Sequence, residues 1–120
     1  MVAPAVPAVA IILWRPVTSS GDLEVYLVRR SPQLAFLGGH WTFPGGRIEL
    51  ADHERAVPAG VSAEIVAGIR ELAEETGVEL PLDTPMLDGA RWITPPTIPI
   101  RFDARYLIAR APDHAAPLHD

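Results

Sequence analysis

Cysteine and lysine are both absent from this 120-residue chain, and each absence excludes a class of chemistry. Without cysteine there is no disulfide framework, no thiolate metal site and no thiol nucleophile. Because lysine is missing, all ten basic residues are arginines, and any phosphate contact must come from a rigid, bidentate guanidinium group. A chain without cysteine suits a reducing compartment, and we expect it in the cytoplasm.

Long hydrophobic runs and an excess of basic charge are also absent. The first 14 residues are apolar, but Pro4 and Pro7 interrupt them and no basic leader precedes them, so we expect no membrane association. A net charge of -5 offers no general basic surface, which argues against nucleic acid as a partner. Hydrophobic residues at 48% and charged residues at 21% are instead typical of a globular domain.

Hydropathy patterns predict strands near both ends of the sequence. Residues 8–14 are apolar and partly β-branched, which is typical of a buried strand. Residues 23–30 alternate in hydropathy after a polar turn, so we expect a half-buried strand that completes a hairpin. Further strands are expected at residues 41–43, 90–93 and 102–109. Between them, Gly45 and Gly46 predict a turn that lies beneath a ligand.

One segment has the periodicity of an amphipathic helix. Ser62 is a suitable N-cap and Gly77 a suitable stop, so the pattern predicts a helix over residues 63–76. On a helical wheel, an apolar stripe contains Val61, Ile65, Ile69 and Leu72. We expect this stripe to pack against a sheet. Ala67 and Gly68 lie on the other side, where their small size leaves room for a ligand.

The side of this helix opposite the apolar stripe is acidic and carries Glu64, Glu71, Glu74 and Glu75. Most acidic stripes are only solvated surface. Here, however, like charges three and four residues apart cost about 0.2–0.5 kcal/mol each, and no lysine offsets them. The last three glutamates also lie near the helix C-terminus, where the helix dipole disfavours anions. A bound divalent cation would remove both costs.

Magnesium suits such a set of ligands. It prefers oxygen ligands and binds through a few carboxylates together with substrate phosphates. It also polarises phosphoryl oxygens and helps to generate hydroxide from bound water. The acidic side of the helix therefore predicts attack of water on phosphorus, with Mg²⁺, or Mn²⁺ in its place, as the cofactor. No phosphate-binding loop with a lysine and no nucleophile elbow occurs in the sequence, which excludes P-loop and acyl-enzyme chemistry.

Two stretches of the chain together resemble the signature of the Nudix family, G-x5-E-x7-R-E-U-x-E-E-x-G-U, in which U is aliphatic. Residues 70–78 (RELAEETGV) match every fixed position of its second half. Gly46 matches the first glycine, and residues 43–46 (FPGG) are the usual lead-in. On these residues the chain resembles the Nudix hydrolases, which cleave diphosphate linkages.

This resemblance also implies roles for individual residues. Glu71, Glu74 and Glu75 would bind or organise magnesium, and one of them would activate water as the general base. We favour Glu71, although Nudix enzymes differ in which carboxylate has this role. The carbonyl oxygen of Gly46 is a further implied metal ligand. Arg70 is implied to pair with an acidic neighbour and to orient the helix.

The first half of the signature departs from the family pattern. The position of its glutamate holds Asp52, and Arg70 follows eighteen residues later instead of eight. About ten extra residues therefore separate the two halves. An aspartate keeps the carboxylate but has a shorter reach, so Glu49 and Glu54 stay open as alternatives for this position.

The insertion is similar to that of the Nudix branch containing peroxisomal coenzyme A diphosphatases and their bacterial relatives. Residues 92–95 (WITP) and 101–103 (RFD) look like the Trp-x-Thr-Pro and Arg-Phe-Asp stretches of that branch. The resemblance therefore implies coenzyme A or an acyl-CoA as the leading substrate. ADP-ribose, dinucleotides and nucleoside triphosphates are the alternatives.

Several side chains are candidate substrate contacts. Arg47 and Arg101 would contact phosphates. Phe43, together with Trp41 and Phe102, would contact a base or an acyl chain. For each of them, core packing or a surface ion pair is an equally open interpretation.

We therefore expect one α/β Nudix-like domain over residues 1–120, with a mixed sheet packed on the signature helix. Nudix folds usually continue with a further strand and helix, so we expect either a truncated product or a domain that completes itself as a homodimer. A small nucleotide is the expected partner. The alternative from a different functional class is a Nudix-derived module that binds a nucleotide without hydrolysing it.

Overall fold

The computed structural model describes residues 2–29 and 39–112, which form a mixed α/β fold. In chain order, the elements are β1 (Val6–Pro16), β2 (Leu23–Val25), β3 (Val28–Arg29), β4 (Trp41–Thr42), β5 (Gly45–Arg47), α1 (Leu50–Ala59), α2 (Ala63–Thr76), β6 (Leu87–Ile93) and β7 (Phe102–Arg110). The predicted α/β class is confirmed. Neither helix is long and apolar enough to cross a membrane.

The main sheet is mixed, as predicted, and β1 is its centre. Strand order is β2-β1-β7-β6, and β5 pairs with β1 beside β2, on the edge away from β7. β1 and β7 are parallel over nine residue pairs, from Val6 and Phe102 to Trp14 and Arg110. All other pairings are antiparallel. This order brings β5, β1, β7 and β6 side by side at the end of the sheet where β1 begins.

The core lies between one face of this sheet and α2. Alternate residues of β1 are fully buried there, namely Val9, Ile11 and Leu13. On β7, Leu107 and Ala109 are buried in the same cluster. This alternation is what a strand with one core-facing side requires, since successive side chains point to opposite faces.

α2 has the predicted bounds and caps. The Ser62 hydroxyl accepts a hydrogen bond from the Ile65 N–H at 3.2 Å, and Gly77 ends the helix with φ 76°. Leu72 is fully buried, and Ile65 and Ile69 are half-buried against the core, so the apolar stripe packs on the sheet as predicted.

The expectation that Ala67 and Gly68 leave room for a ligand is wrong. Both are buried, and Gly68 faces β1. A Cβ on Gly68 would lie 2.6 Å from Ile11 Cδ1 and 3.5 Å from Val9 Cγ2. The absence of a side chain at Gly68 therefore allows the helix to approach β1 closely, and side chains of β1 fill the space.

Three further details differ from the sequence predictions. The strand expected at 23–30 is divided into β2 and β3, and β3 pairs with β4 in a separate two-stranded sheet; residue 30 and most of the loop expected at 31–40 lie outside the described residues. The turn expected at Gly45 and Gly46 is the short strand β5. The insertion before α2 forms the helix α1, which the sequence patterns did not predict.

Candidate functional site

A cavity of about 460 Å³ opens where β5 and α2 meet the sheet. Among the described residues that line it, Glu49 and Glu71 are the acidic ones and Arg47 is the basic one. The remaining wall is formed by small and aromatic side chains from β1, β6, β7 and the segment before β5. The cavity thus joins a charged end to an apolar surface.

Glu71 lies at the charged end, in the second half of α2. Its carboxyl group fills the space that a side chain on Gly46 would occupy, because a Cβ there would lie 2.5 Å from Glu71 Cδ. The Glu71 side chain is 16% exposed. Burial raises the pKa of this carboxyl above its ordinary value, and hydrogen bonding from Arg70 opposes that shift.

Arg70 connects the two halves of the signature. Its guanidinium donates from Nε to Asp52 Oδ1 and from Nη2 to Asp52 Oδ2, both at 2.9 Å. Nη1 donates to Glu71 Oε1 at 2.8 Å, and Nη2 donates to the Arg47 carbonyl oxygen at 3.2 Å. Hydrogen bonding from Arg70 holds the pKa of Asp52 below its ordinary value. Arg70 therefore fixes α2 against both α1 and β5.

Asp52 is the acidic residue that takes the position of the first signature glutamate, for which Glu49 and Glu54 were the alternatives. Its side chain is fully buried, in the first turn of α1, and also accepts a hydrogen bond from the Glu49 N–H at 2.8 Å. Glu49 is more distant, with Oε2 4.0 Å from Arg70 Nη2, and Glu54 is exposed. The inserted residues fold into α1 and bring the shorter aspartate within reach of Arg70.

The other two signature glutamates have different surroundings. Glu75 Oε2 accepts a hydrogen bond from the Gly45 N–H at 2.8 Å. Gly45 cannot carry a side chain, because its Cβ would overlap the Val9 carbonyl oxygen. The Glu74 side chain is 59% exposed and lies 3.3 Å from Arg70 Nη1. Each of the three predicted carboxylates therefore has a partner within the protein.

Glu71, Glu74 and Glu75 have the oxygen atoms that a magnesium site needs, but their side chains are not grouped around one point. Carboxylates and the Gly46 carbonyl are oxygen ligands of the kind that magnesium prefers. The Glu71 carboxylate is also largely removed from water, since its side chain is mostly buried. Within residues 2–29 and 39–112, however, no three acidic, histidine or cysteine side chains are grouped to hold a metal ion. The contacts of Glu71 and Glu74 with Arg70 hold these two carboxylates in their present positions.

Some of the predicted substrate contacts line the cavity and others do not. Arg47, Phe43 and Phe102 line the cavity, whereas Trp41 and Arg101 do not. The Arg101 guanidinium donates to backbone carbonyl oxygens instead, including that of Thr94 at 3.0 Å, and so holds the connection between β6 and β7. A phosphate contact from Arg101 stays a prediction, and it would require Arg101 to exchange these partners.

Sequence reasoning did not assign Trp92 and Tyr106 to the site, although both line the cavity. β6 and β7 are antiparallel, with Trp92 opposite Ala104 and Ala90 opposite Tyr106. The alternation of each strand could have placed Trp92 and Tyr106 on the same sheet face as Phe102, but only after this register was known.

Comparison with known proteins agrees with this geometry. A family model described as the NUDIX domain matches residues 4–117. The structure resembles a NUDIX hydrolase from Alicyclobacillus acidocaldarius, with 26% sequence identity, a TM-score of 0.82, and coverage of 98% of this chain and 75% of that one. A search of curated proteins gave no match.

Two further structural neighbours are more distant in sequence. An Ap4A hydrolase from C. elegans is 20% identical, with a TM-score of 0.65, over 97% of this chain and 76% of that one. The NUDIX domain of Shewanella oneidensis NrtR complexed with ADP ribose is 19% identical, with a TM-score of 0.64, over 94% of this chain and 64% of that one. At such identities, these neighbours show the shared fold alone. With the domain match spanning nearly all of its sequence, this chain belongs to the NUDIX family and is a Nudix-type hydrolase.

Proposed function

We propose that this chain is a magnesium-dependent hydrolase that cleaves the diphosphate linkage of a nucleoside diphosphate derivative. The observation that carries the proposal is the position of Glu71, a signature carboxylate that forms part of the wall of a 460 Å³ cavity. Water would attack one phosphorus, the bridging P–O bond would break, and two phosphate monoesters and protons would be released. We further propose that residues 1–120 act as one domain.

Glu71 is our candidate for the general base. Of the three signature glutamates, it is the one that lines the cavity, where its carboxylate would accept a proton from the attacking water. Arg70 is a positioning residue that orients Glu71 through the hydrogen bond at 2.8 Å. Magnesium held by Glu71, Glu74, Glu75 and the Gly46 carbonyl would neutralise charge on the diphosphate and lower the pKa of water.

Coenzyme A or an acyl-CoA is the leading candidate substrate. Trp92, Thr94 and Phe102 belong to the two stretches that resemble the coenzyme A branch, and all three line the cavity. Arg47, at the charged end, is the candidate phosphate contact. ADP-ribose, dinucleotides and nucleoside triphosphates stay as alternatives. The ADP ribose bound to the NrtR domain and the Ap4A hydrolase from C. elegans support testing the first two.

The test is a turnover screen of coenzyme A, acetyl-CoA, ADP-ribose, NADH, diadenosine tetraphosphate and nucleoside triphosphates, with and without magnesium. We expect magnesium-dependent release of phosphate monoesters that is lost in Glu71→Gln and in Glu75→Gln. Glu79→Gln is the matched control, because Glu79 is exposed and does not line the cavity. Turnover of triphosphates alone would contradict the coenzyme A proposal, and full activity of Glu71→Gln would contradict the role of Glu71.

One observation favours a second candidate function, a module that binds a nucleotide without hydrolysing it. Glu71 and Glu74 both contact Arg70, so the carboxylates are engaged within the protein in a manner that needs no metal ion. Under this alternative, nucleotides would bind with equal affinity in the presence and absence of magnesium, and the screen would show no turnover. Magnesium-dependent turnover would exclude it.

A further inference from the structure

The sheet face opposite α2 has a depression floored by alanines. Ala8 of β1 pairs with Ala104 of β7, which in turn lies opposite Trp92 of β6. In the next row, Ala10 pairs with Tyr106. These side chains project from the same face of the sheet. The alanine side chains are short and form the floor of the depression, and the longer side chains of Trp92 and Tyr106 extend beside it. The depression is part of the cavity that contains Glu71.

Aromatic rings form the walls around this floor. Phe43 and Tyr106 contact each other edge to face, with ring centroids 6.3 Å apart and an interplanar angle of 80°. Trp92 lines the cavity on the side of β6, and 59% of its surface is exposed to solvent. An indole this exposed in a concave site is free to cover a flat apolar ligand.

Strand order determines how far this surface lies from the charged end. β5 carries Gly46, against which Glu71 packs, and β6 carries Trp92. With β1 and β7 between them, the two strands are three strand spacings apart, roughly 14 Å. Glu71 contacts β5 on the face that packs against α2, whereas Trp92 lies on the opposite face, so a ligand that reaches both must follow the cavity that both residues line. A nucleotide whose diphosphate lies at Glu71 would then place its base near Trp92.

Polar side chains are scarce at the aromatic end. The Thr94 hydroxyl accepts a hydrogen bond from the Phe102 N–H at 2.9 Å and donates to the Phe102 carbonyl oxygen. It is therefore committed to the backbone, where it fixes the end of β6 beside β7. Recognition at this end must rest mainly on stacking, which is tolerant of base identity because every base has a π-face.

We propose that Trp92, supported by Tyr106 and Phe43, is the base-binding residue of the site and stacks on the nucleobase of the substrate. This inference rests on the proposed function, since the position of the diphosphate at Glu71 sets where the base lies. Stacking on an aromatic side chain contributes about 1–3 kcal/mol per base, which corresponds to about five- to 150-fold in affinity. Adenine and guanine nucleotides bind within about tenfold of each other under this proposal.

Binding without turnover tests the inference separately from hydrolysis. AMP, GMP, ribose 5-phosphate and pantetheine are titrated against the metal-free protein by NMR and by tryptophan fluorescence. We expect AMP and GMP to bind the wild type more tightly than ribose 5-phosphate and to quench its emission. Trp92→Ala weakens AMP binding at least fivefold, and Trp92→Phe restores part of it. Trp41→Ala is the matched control, because Trp41 is 52% exposed and lies outside the cavity lining.

Several outcomes would overturn the assignment of Trp92. For the wild type, these are the absence of AMP binding and an affinity for ribose 5-phosphate equal to that for AMP. For a folded Trp92→Ala protein, they are an unchanged AMP affinity and a pantetheine affinity that falls while AMP affinity does not. Thermal unfolding confirms that each variant is folded. If Trp92-dependent AMP binding occurs without diphosphate turnover, the proposed hydrolysis fails while the base site stands.

Discussion

At the scale of single residues, Arg70 organises the charged end of the cavity by serving several acceptors at once. Its bidentate contact with the buried Asp52 leaves Nη1 directed at Glu71 and Glu74. Bidentate arginine pairs have fixed geometry, so the carboxylate of Asp52 determines where the rest of the guanidinium points. The position of Glu71 thus depends on a residue eighteen positions before Arg70 in the sequence.

Replacement of Asp52 by asparagine tests this dependence through stability. The change replaces the buried carboxylate beside Arg70 by a neutral amide with one acceptor oxygen, and we expect the free energy of unfolding at pH 7 to fall by about 3 kcal/mol. Because the pKa of Asp52 is lowered in the folded state, its contribution is present above the ordinary aspartate pKa and is lost as the pH falls through the folded value. The difference in the free energy of unfolding between wild type and Asp52→Asn, measured with urea, should therefore disappear at acidic pH.

The exposed Glu54 provides the control for this prediction, since it lies on the same helix. Glu54→Gln should unfold at the wild-type urea concentration at every pH. A wild-type stability for Asp52→Asn at pH 7 would show that the contact between Asp52 and Arg70 does not support the fold.

Replacement of Glu71 by glutamine should separate activity from stability. Loss of a general base lowers kcat by about 10²–10⁴-fold. The raised pKa of Glu71 means that the folded protein disfavours the ionised carboxylate, so ionisation above that pKa costs stability and glutamine avoids the cost. In metal-free buffer at pH 7, we expect Glu71→Gln to unfold at the same or a higher urea concentration than wild type. A variant that loses stability together with kcat would contradict this account.

At the scale of secondary structure elements, the sequence predicted α2 well and α1 not at all, for a physical reason. The buried positions of α1 are Asp52 and Ala56, whereas Leu50 and Val57 are 74% and 82% exposed. Its core-facing side is thus a carboxylate and a methyl group, which hydropathy cannot detect. Pro58 also lies inside α1, where a proline argues against a helix. The partner of Asp52 is an arginine on α2, and only tertiary structure shows that pairing.

Contact between α2 and β1 yields a prediction at this scale. Gly68→Ala introduces a methyl group 2.6 Å from Ile11 Cδ1, and we expect a loss of about 1–2 kcal/mol because overpacking exceeds the gain of about 1 kcal/mol in helix propensity. Ile11→Val removes that Cδ1 atom and alone costs about 1 kcal/mol. The double variant should lose less than the sum of the two, as measured by urea unfolding. Additive losses would mean that the two side chains do not compete for this space.

At the scale of the whole molecule, the parallel pairing of β1 with β7 could not be derived from the sequence. Hydropathy located both strands, but nothing local specifies which strands become neighbours across about a hundred residues. The cavity could not be predicted from the sequence for the same reason, because its walls come from β1, the segment around β5, α2, β6 and β7. The signature identified its charged end, whereas Trp92 and Tyr106 joined it only through the sheet.

The buried ladder of β1 and β7 predicts how stability is distributed over the molecule. Leu107 of β7 is 5% exposed within the core, and Leu87 of β6 is 70% exposed. We expect Leu107→Ala to lower the free energy of unfolding by about 2–5 kcal/mol and Leu87→Ala to change it by less than about 0.5 kcal/mol. Chemical denaturation of both variants measures the difference. Similar losses would indicate that β6 is covered in solution.

Exposure of β6 also bears on assembly. Every residue from Leu87 to Ile93 is exposed, and among the described strands β6 is the last on its side of the main sheet. Unpaired strand edges invite pairing with another chain. A homodimer stays a prediction, and light scattering on the purified protein measures it.

Since β7 follows the other described elements in the chain, the ribosome releases it after them. Until it emerges, β1 lacks the neighbour that it contacts along nine residues, and β6 has no strand on which to lie. The binding surface of the nascent protein therefore forms only once β7 has been synthesised. Before that point, the unpaired edges of β1 and β6 are exposed to chaperones and proteases.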